Sequence, residues 1–253
     1  MKVIAAGLMA LSLLHAGARA QVPESGRAQE LGFSADEVDA RMEDRYIDRM
    51  VDLAAVGKLD EDRQLLARLR GISEGLIKAA VAMKPEAAEW QWEFHTTGDP
   101  EVDALCMAGG KILVGSVFVR KLALSDGELA TLLAHEVAHA VAEHHRETLS
   151  EALSLNRPLR VPVDVVMERL DSDLSLQIRL SKLSSLQESE ADQLGMVLAH
   201  RAGWPAAEMV SFYRKLQAEG QSALVSNAYP AASSRISMAK GMALLFQPPN
   251  PQP

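Results

Sequence analysis

His135-Glu136-Val137-Ala138-His139 places two imidazoles and a carboxylate within five residues. On an α-helix successive residues turn about 100° and rise about 1.5 Å, so the two histidines lie about 40° apart on one face and about 6 Å apart along the axis. Both rings can then reach a single ion. Glu136 follows the first histidine and turns somewhat away from it, toward the open side of such an ion, where a general base takes the proton of an attacking water. Catalytic zinc sites use three protein ligands and keep a further position open. The pattern therefore calls for one Zn²⁺ per chain, held by His135, His139 and a third ligand elsewhere. A partly buried histidine pair without such a partner would be costly, which weighs against a chance match.

The elements that must position these residues are legible around them. Ser125-Asp126-Gly127-Glu128 has the form of a capping box opening a helix, and Leu129, Leu132, Leu133, Val137, Ala140 and Val141 supply its apolar side. Ala142 is a strong helix former, so the helix is expected to continue through His144 and His145 and to leave both at a solvated end. His145 occupies the position of a metzincin's third histidine, but that arrangement needs a helix-breaking glycine at position 142.

A third ligand is expected on a long helix from about residue 178 to 202, which carries Glu188-Ser189-Glu190-Ala191-Asp192 and stops at Gly203 before Trp204-Pro205. Leu183, Leu186, Leu194 and Val197 form a stripe that includes Glu190, so periodicity alone favours neither glutamate. Asp192 lies one turn beyond Glu188 and can orient a ligating histidine through its second ring nitrogen, which assigns Glu188 as the ligand and Asp192 as its support.

Upstream, Trp90-Gln91-Trp92-Glu93-Phe94-His95 alternates as a half-buried strand does. Residues 103–108 and 111–119 read as two short strands around Gly109-Gly110. An exposed strand edge beside a metal can hold an extended peptide by main-chain hydrogen bonds, so Asp103, Cys106, Gly109 and Gly110 mark a candidate substrate-binding strand. Cys106 is the only cysteine. No internal disulfide can form, and the residue reads as a small buried hydrophobe rather than a redox group.

Before the strands, Ser34-Ala35-Asp36-Glu37 caps an expected helix running to about residue 56, and a second is expected over 60–83. Together they suggest a helical collar. Residues 154–175, with Pro158 and Pro162, read as an insertion that could act as a lid. Residues 1–20 have the basic start, apolar run and Ala18-Arg19-Ala20 ending of a secretory signal peptide. The expected address is the periplasm, with no lipid anchor and no transmembrane segment in the mature chain. The formal net charge is −8, and the leader holds the basic residues Lys2 and Arg19 but no acid, so nucleic acid is excluded as a partner.

His135-Glu136-x-x-His139 followed by Glu188-x-x-Ala191-Asp192 resembles the gluzincin zinc metallopeptidases that include the CaaX prenyl endopeptidases, HtpX, the mitochondrial Oma protease and the periplasmic BepA and LoiP proteins. Asp103-Ala104-Leu105 with Gly109-Gly110 looks like that group's Asn-Ala-Phe strand and turn, and Leu194-Gly195 and Ala202-Gly203 also fit. Departures are Asp103 for Asn, Ser185 where many members have Arg, and Tyr229-Pro230 for a His-Pro that precedes a downstream arginine, here Arg235. The soluble periplasmic members are the nearest in form. The resemblance implies a mostly helical α+β, zincin-like core with a small sheet beside the metal helix. It divides the chain into a signal peptide (1–20), an N-terminal helical extension (21–88), a metallopeptidase domain (89–246) and a Pro-rich tail (247–253). It further implies polypeptide substrates, including misfolded or unassembled envelope proteins, with Arg235 near the site. Tyr229 replaces a histidine there, and its phenol could donate to a developing oxyanion. The rival is a zinc-containing chaperone-like or binding protein with little turnover, and the intact Glu136 argues against it.

Overall fold

A computed structural model describes residues 18–155, 161–219 and 230–247. The described chain opens with a hairpin that no sequence pattern announces: Ala18–Gln21 (β1) pairs antiparallel with Ala28–Leu31 (β2). Helices Ala35–Ala55 (α1) and Arg63–Met83 (α2) follow, where the caps place them. The Ser34 hydroxyl accepts from Glu37 N and the Asp62 carboxylate from Leu65 N. On α2, Leu65, Leu69, Ile72, Leu76 and Ala80 recur at helical spacing and enter the main core.

Three strands form a mixed sheet in the order β3-β5-β4. Glu93–Thr97 (β3) runs parallel to Lys111–Gly115 (β5), which pairs antiparallel with Ala104–Met107 (β4). The fully buried β5 is central and β4 is an edge. Gly109 and Gly110 turn between them at φ +74° and +82°, a region glycine enters without steric cost. The observed strands are shorter than the alternation suggests. Trp90 and Trp92 precede β3, with Trp92 Nε1 donating to the Ala87 carbonyl, and after Gly115 the chain turns into a short helix, Ser116–Lys121 (α3).

The remaining helices are Asp126–Val141 (α4), His144–Ser154 (α5), Val163–Ser172 (α6), Leu174–Arg201 (α7), Ala206–Glu219 (α8) and Ala232–Leu245 (α9). The Ser125/Glu128 capping box is complete in both directions. Every residue of α4 except Asp126 and His139 is buried, so this helix is the centre of the core, against α2, α7 and α8.

Two local expectations fail for a tertiary reason. The metal helix does not run on through His144. It ends at Val141, and Glu143 takes the left-handed conformation (φ 52°, ψ 36°), which redirects the chain into α5. This conformation is unfavourable for a residue with a Cβ, on the order of 1–2 kcal/mol. Glu143 is held there by Lys84 and Arg146, each at 3.0 Å. Nor are His144 and His145 a solvated end: His144 is buried and His145 is half-buried. The stretch 154–175, apart from residues 156–160 outside the described set, is packed helix. Val163, Val166 and Met167 of α6 join a second apolar cluster with α1, α5 and α7, and Arg41–Asp164 and Arg45–Asp171 pairs tie α6 to α1. Asp173 caps α7, which therefore begins at Leu174 rather than near 178. Among the described residues no helix is long and apolar enough to cross a membrane.

Candidate metal centre

α4 and α7 cross in close contact at the site. A Cβ on Gly195 would lie 2.9 Å from His135 N and 3.0 Å from His135 Cα, so only glycine lets the two backbones approach this closely. Glu188 lies two turns before Gly195 on α7 and faces the histidines. His135 Nε2 is 3.1 Å from His139 Nε2 and 3.2 Å from Glu188 Oε2, and His139 Nε2 is 3.6 Å from the same oxygen. Donors around a tetrahedral ion with bonds of about 2.0–2.2 Å stand about 3.3–3.6 Å apart, so the spacing matches such an ion. Glu188 Oε2 is buried and faces only these two histidine nitrogens among the described residues' ion pairs. Among the described residues these three are the group that could hold a metal.

The electrostatics favour positive charge in this pocket. Burial opposes charging His135, but hydrogen bonding to Asp192 and Glu188 outweighs it and raises its pKa to about 10. Burial would raise the Glu188 carboxyl, yet the two histidines hold it far below the usual carboxylate range. Glu136 is buried beside them. Burial pushes its pKa up, partly offset by His135 and His139, as suits a group that accepts a proton.

Asp192 stands behind His135, its Oδ1 3.0 Å from Nδ1. A carboxylate there favours the proton on Nδ1 and leaves the Nε2 lone pair facing the cluster. Asp192 is fixed in turn by Arg235 (Nε to Oδ2 2.7 Å, Nη2 to Oδ1 2.6 Å) and by the Tyr213 hydroxyl at 3.1 Å, and Arg235 lies over the Tyr213 ring. Sequence reasoning missed Tyr213, whose only advance signal was a polar tip on the buried face of α8. Glu190 does not join the cluster. It faces the other side of α7 and binds Arg27.

The candidate substrate strand lies alongside α4. Gly115 N donates to Asp103 O, so residues 103, 105 and 107 pair toward β5 and the main-chain groups of Ala104 and Cys106 point to the free edge. His145 Nε2 donates to the Cys106 carbonyl, a contact the expected solvated helix end did not foresee. The Cys106 thiol is buried and burial pushes its pKa well up, which makes it an inert core group. Gly109 lines a cleft beside His139, with Trp90, Lys84 and Glu143 on its walls. Tyr229 lies outside the described residues.

A buried helix carrying two histidines, crossed by a second helix bearing a glutamate and flanked by a small mixed sheet, defines a zincin-like core. The profile of peptidase family M48 matches residues 64–243, and the chain belongs to that family. It is 34% identical over 133 residues to the mitochondrial metalloendopeptidase OMA1 of Arabidopsis thaliana, covering 53% of this chain and 27% of that one. It is 30% identical over 161 residues to the OMA1 protein of Schizosaccharomyces pombe (59% and 46%) and 25% identical over 247 residues to the beta-barrel assembly-enhancing protease of Yersinia pestis (90% and 48%). The matches thus span less than half the length of each of these relatives.

Proposed function

We propose that the chain is a zinc-dependent metalloendopeptidase that cleaves polypeptides. We further propose that residues 1–20 export it to the periplasm, where it acts on misfolded or unassembled envelope proteins. The observation that carries the reading is the convergence of two imidazole nitrogens and a buried carboxylate oxygen beside a buried glutamate. A zinc ion bound there would supply Lewis acidity toward a carbonyl and a water nucleophilic at neutral pH. His135, His139 and Glu188 bind the ion, and Asp192 holds His135 in the ligating tautomer. Glu136 accepts the proton of the attacking water and returns it to the leaving amine. The main-chain groups of Ala104 and the Cys106 N–H orient an extended substrate along the edge of β4, with the Gly109-Gly110 turn closing the strand beside the cleft. Tyr229 is proposed, from its place in the sequence, as a donor to the developing oxyanion.

Incubating the purified protein with an unfolded polypeptide, with and without chelator, tests this reading. Chelator should abolish cleavage and zinc restore it. Glu136→Gln should retain zinc and lose about 10²- to 10⁴-fold in kcat, the usual contribution of a positioned general base. Unimpaired cleavage by that variant would remove Glu136 from the reaction. Zinc binding with no cleavage by the wild-type chain would support the rival binding role.

A further inference from the structure

His139 is backed by groups that the proposed chemistry does not use. Its Nδ1 lies 3.0 Å from Nδ1 of His144, whose buried ring meets it edge-on. His144 Nε2 faces Glu190 Oε2 at 3.4 Å. Glu190 accepts from Arg27 Nε at 2.7 Å and Nη2 at 2.8 Å, and the same guanidinium spans Glu147 at 2.5 and 2.8 Å. Glu147 is fixed by Gln187 at 2.9 Å and Gln29 at 3.0 Å. The chain of contacts runs from the metal cluster across α5 and α7 to the loop of the β1–β2 hairpin, across a sequence separation of 163 residues between Arg27 and Glu190.

Two neutral imidazoles meeting through their Nδ1 atoms share one proton, one ring donating and the other accepting. With the proton on His139, its Nε2 keeps the lone pair that a metal needs. With the proton on His144 Nδ1, a neutral His139 must carry its own on Nε2, pointing into the cluster. The Glu190 carboxylate beside His144 Nε2 draws the His144 proton to that nitrogen and leaves Nδ1 as the acceptor. Arg27 keeps Glu190 in place and ionised.

We propose that Arg27, Glu190 and His144 are positioning residues that hold His139 in its metal-binding tautomer, making the segment that leads into β2 a working part of the metal centre. The proposal rests on the zinc reading above. Arg27 thereby secures the ligand near the C-terminal end of α4, whose side chain is 15% exposed.

The test is zinc affinity, measured by competition with a chromogenic chelator on the full chain, together with the absorption spectrum of the Co²⁺-substituted protein. Arg27 is 23% exposed, so water can reach the carboxylates its removal uncovers. Arg27→Ala should weaken zinc about 10- to 100-fold, as loss of an outer partner of a ligand does, and alter the Co²⁺ bands while far-UV circular dichroism stays unchanged. His144→Leu should weaken zinc similarly. His144→Gln keeps an acceptor for His139 and should recover most of the affinity. The double variant Arg27→Ala/His144→Leu should be no weaker than His144→Leu alone, because both cut one chain. Wild-type affinity in Arg27→Ala, or fully additive losses in the double variant, would overturn the proposal while zinc binding by the wild type upholds the metal reading. If His144→Leu does not fold, the Arg27→Ala affinity and Co²⁺ spectrum decide alone. A wild-type chain that binds no zinc would overturn both.

Discussion

The two histidines of one helix have differently built surroundings. Behind His135 stand Asp192, Arg235 and Tyr213 from α7, α9 and α8, and the Asp192 and Arg235 side chains are 1% and 4% exposed. Behind His139 the contacts lead outward through His144 and Glu190 to Arg27 on a terminal hairpin, and His139 itself is 15% exposed. One ligand is therefore set by the same packing that holds the core together, while the other is set at the rim, where a cleft needs room. The difference implies that metal affinity and global stability are coupled more tightly on the His135 side than on the His139 side.

Asp192→Ala should have the largest effect. It removes the carboxylate that pairs with buried Arg235 and stands 3.0 Å from His135 Nδ1, and removing one partner of a buried pair costs about 3–5 kcal/mol. Urea unfolding of the metal-free protein should show that loss, whereas Arg27→Ala should cost less, because Arg27 is 23% exposed and water can reach the Glu147 and Glu190 carboxylates it leaves behind. Equal destabilisation by the two would break the comparison. Gly195→Ala comes next. Its Cβ would press on the His135 backbone, which cannot yield as a flexible side chain does, and overpacking of this kind costs about 1–3 kcal/mol. Zinc should be lost as well, because Glu188 moves with α7. A variant as stable and as tight for zinc as the wild type would show that the crossing has slack.

The smallest effect sharpens the comparison from the far end of α4. Burial would raise the Glu128 carboxyl, but Lys215, Ser211 and the Ser125 backbone N–H hold it below its ordinary 4.5. Its folded-state pKa is thus lower than its unfolded one. Its contribution is present above about 4.5 and is lost as the pH falls through the lower folded value. Thermal melts should show Glu128→Gln less stable at neutral pH and less sensitive to acid than the wild type. The difference should be the same with Arg27 present or replaced, because the cap and the rim share no contact.

Much of this molecule is written in neighbouring residues. The cap at Ser34, the capping box at Ser125, the glycine turn before β5 and the paired histidines all depend on contacts a few positions apart, so composition and spacing suffice to locate them. The α+β, mostly helical class follows from the same signals. Trp90 and Val119 show the limit. Alternation extends the strands over both, yet pairing with β5 and the turn into α3 set the true ends.

What spacing cannot supply is which distant groups meet. Glu188 and Glu190 are two residues apart on one helix and chemically identical, and only the crossing at Gly195 sends the first to the histidines and the second to Arg27. His144 looks like solvent-facing helix because Ala142 and Glu143 favour continuation. Lys84, 59 residues upstream of Glu143, helps hold the left-handed turn that returns His144 to His139. Local propensity is worth a fraction of a kcal/mol per residue. Buried apolar packing and paired charges outweigh it, and they are decided only when the whole chain has closed around α4.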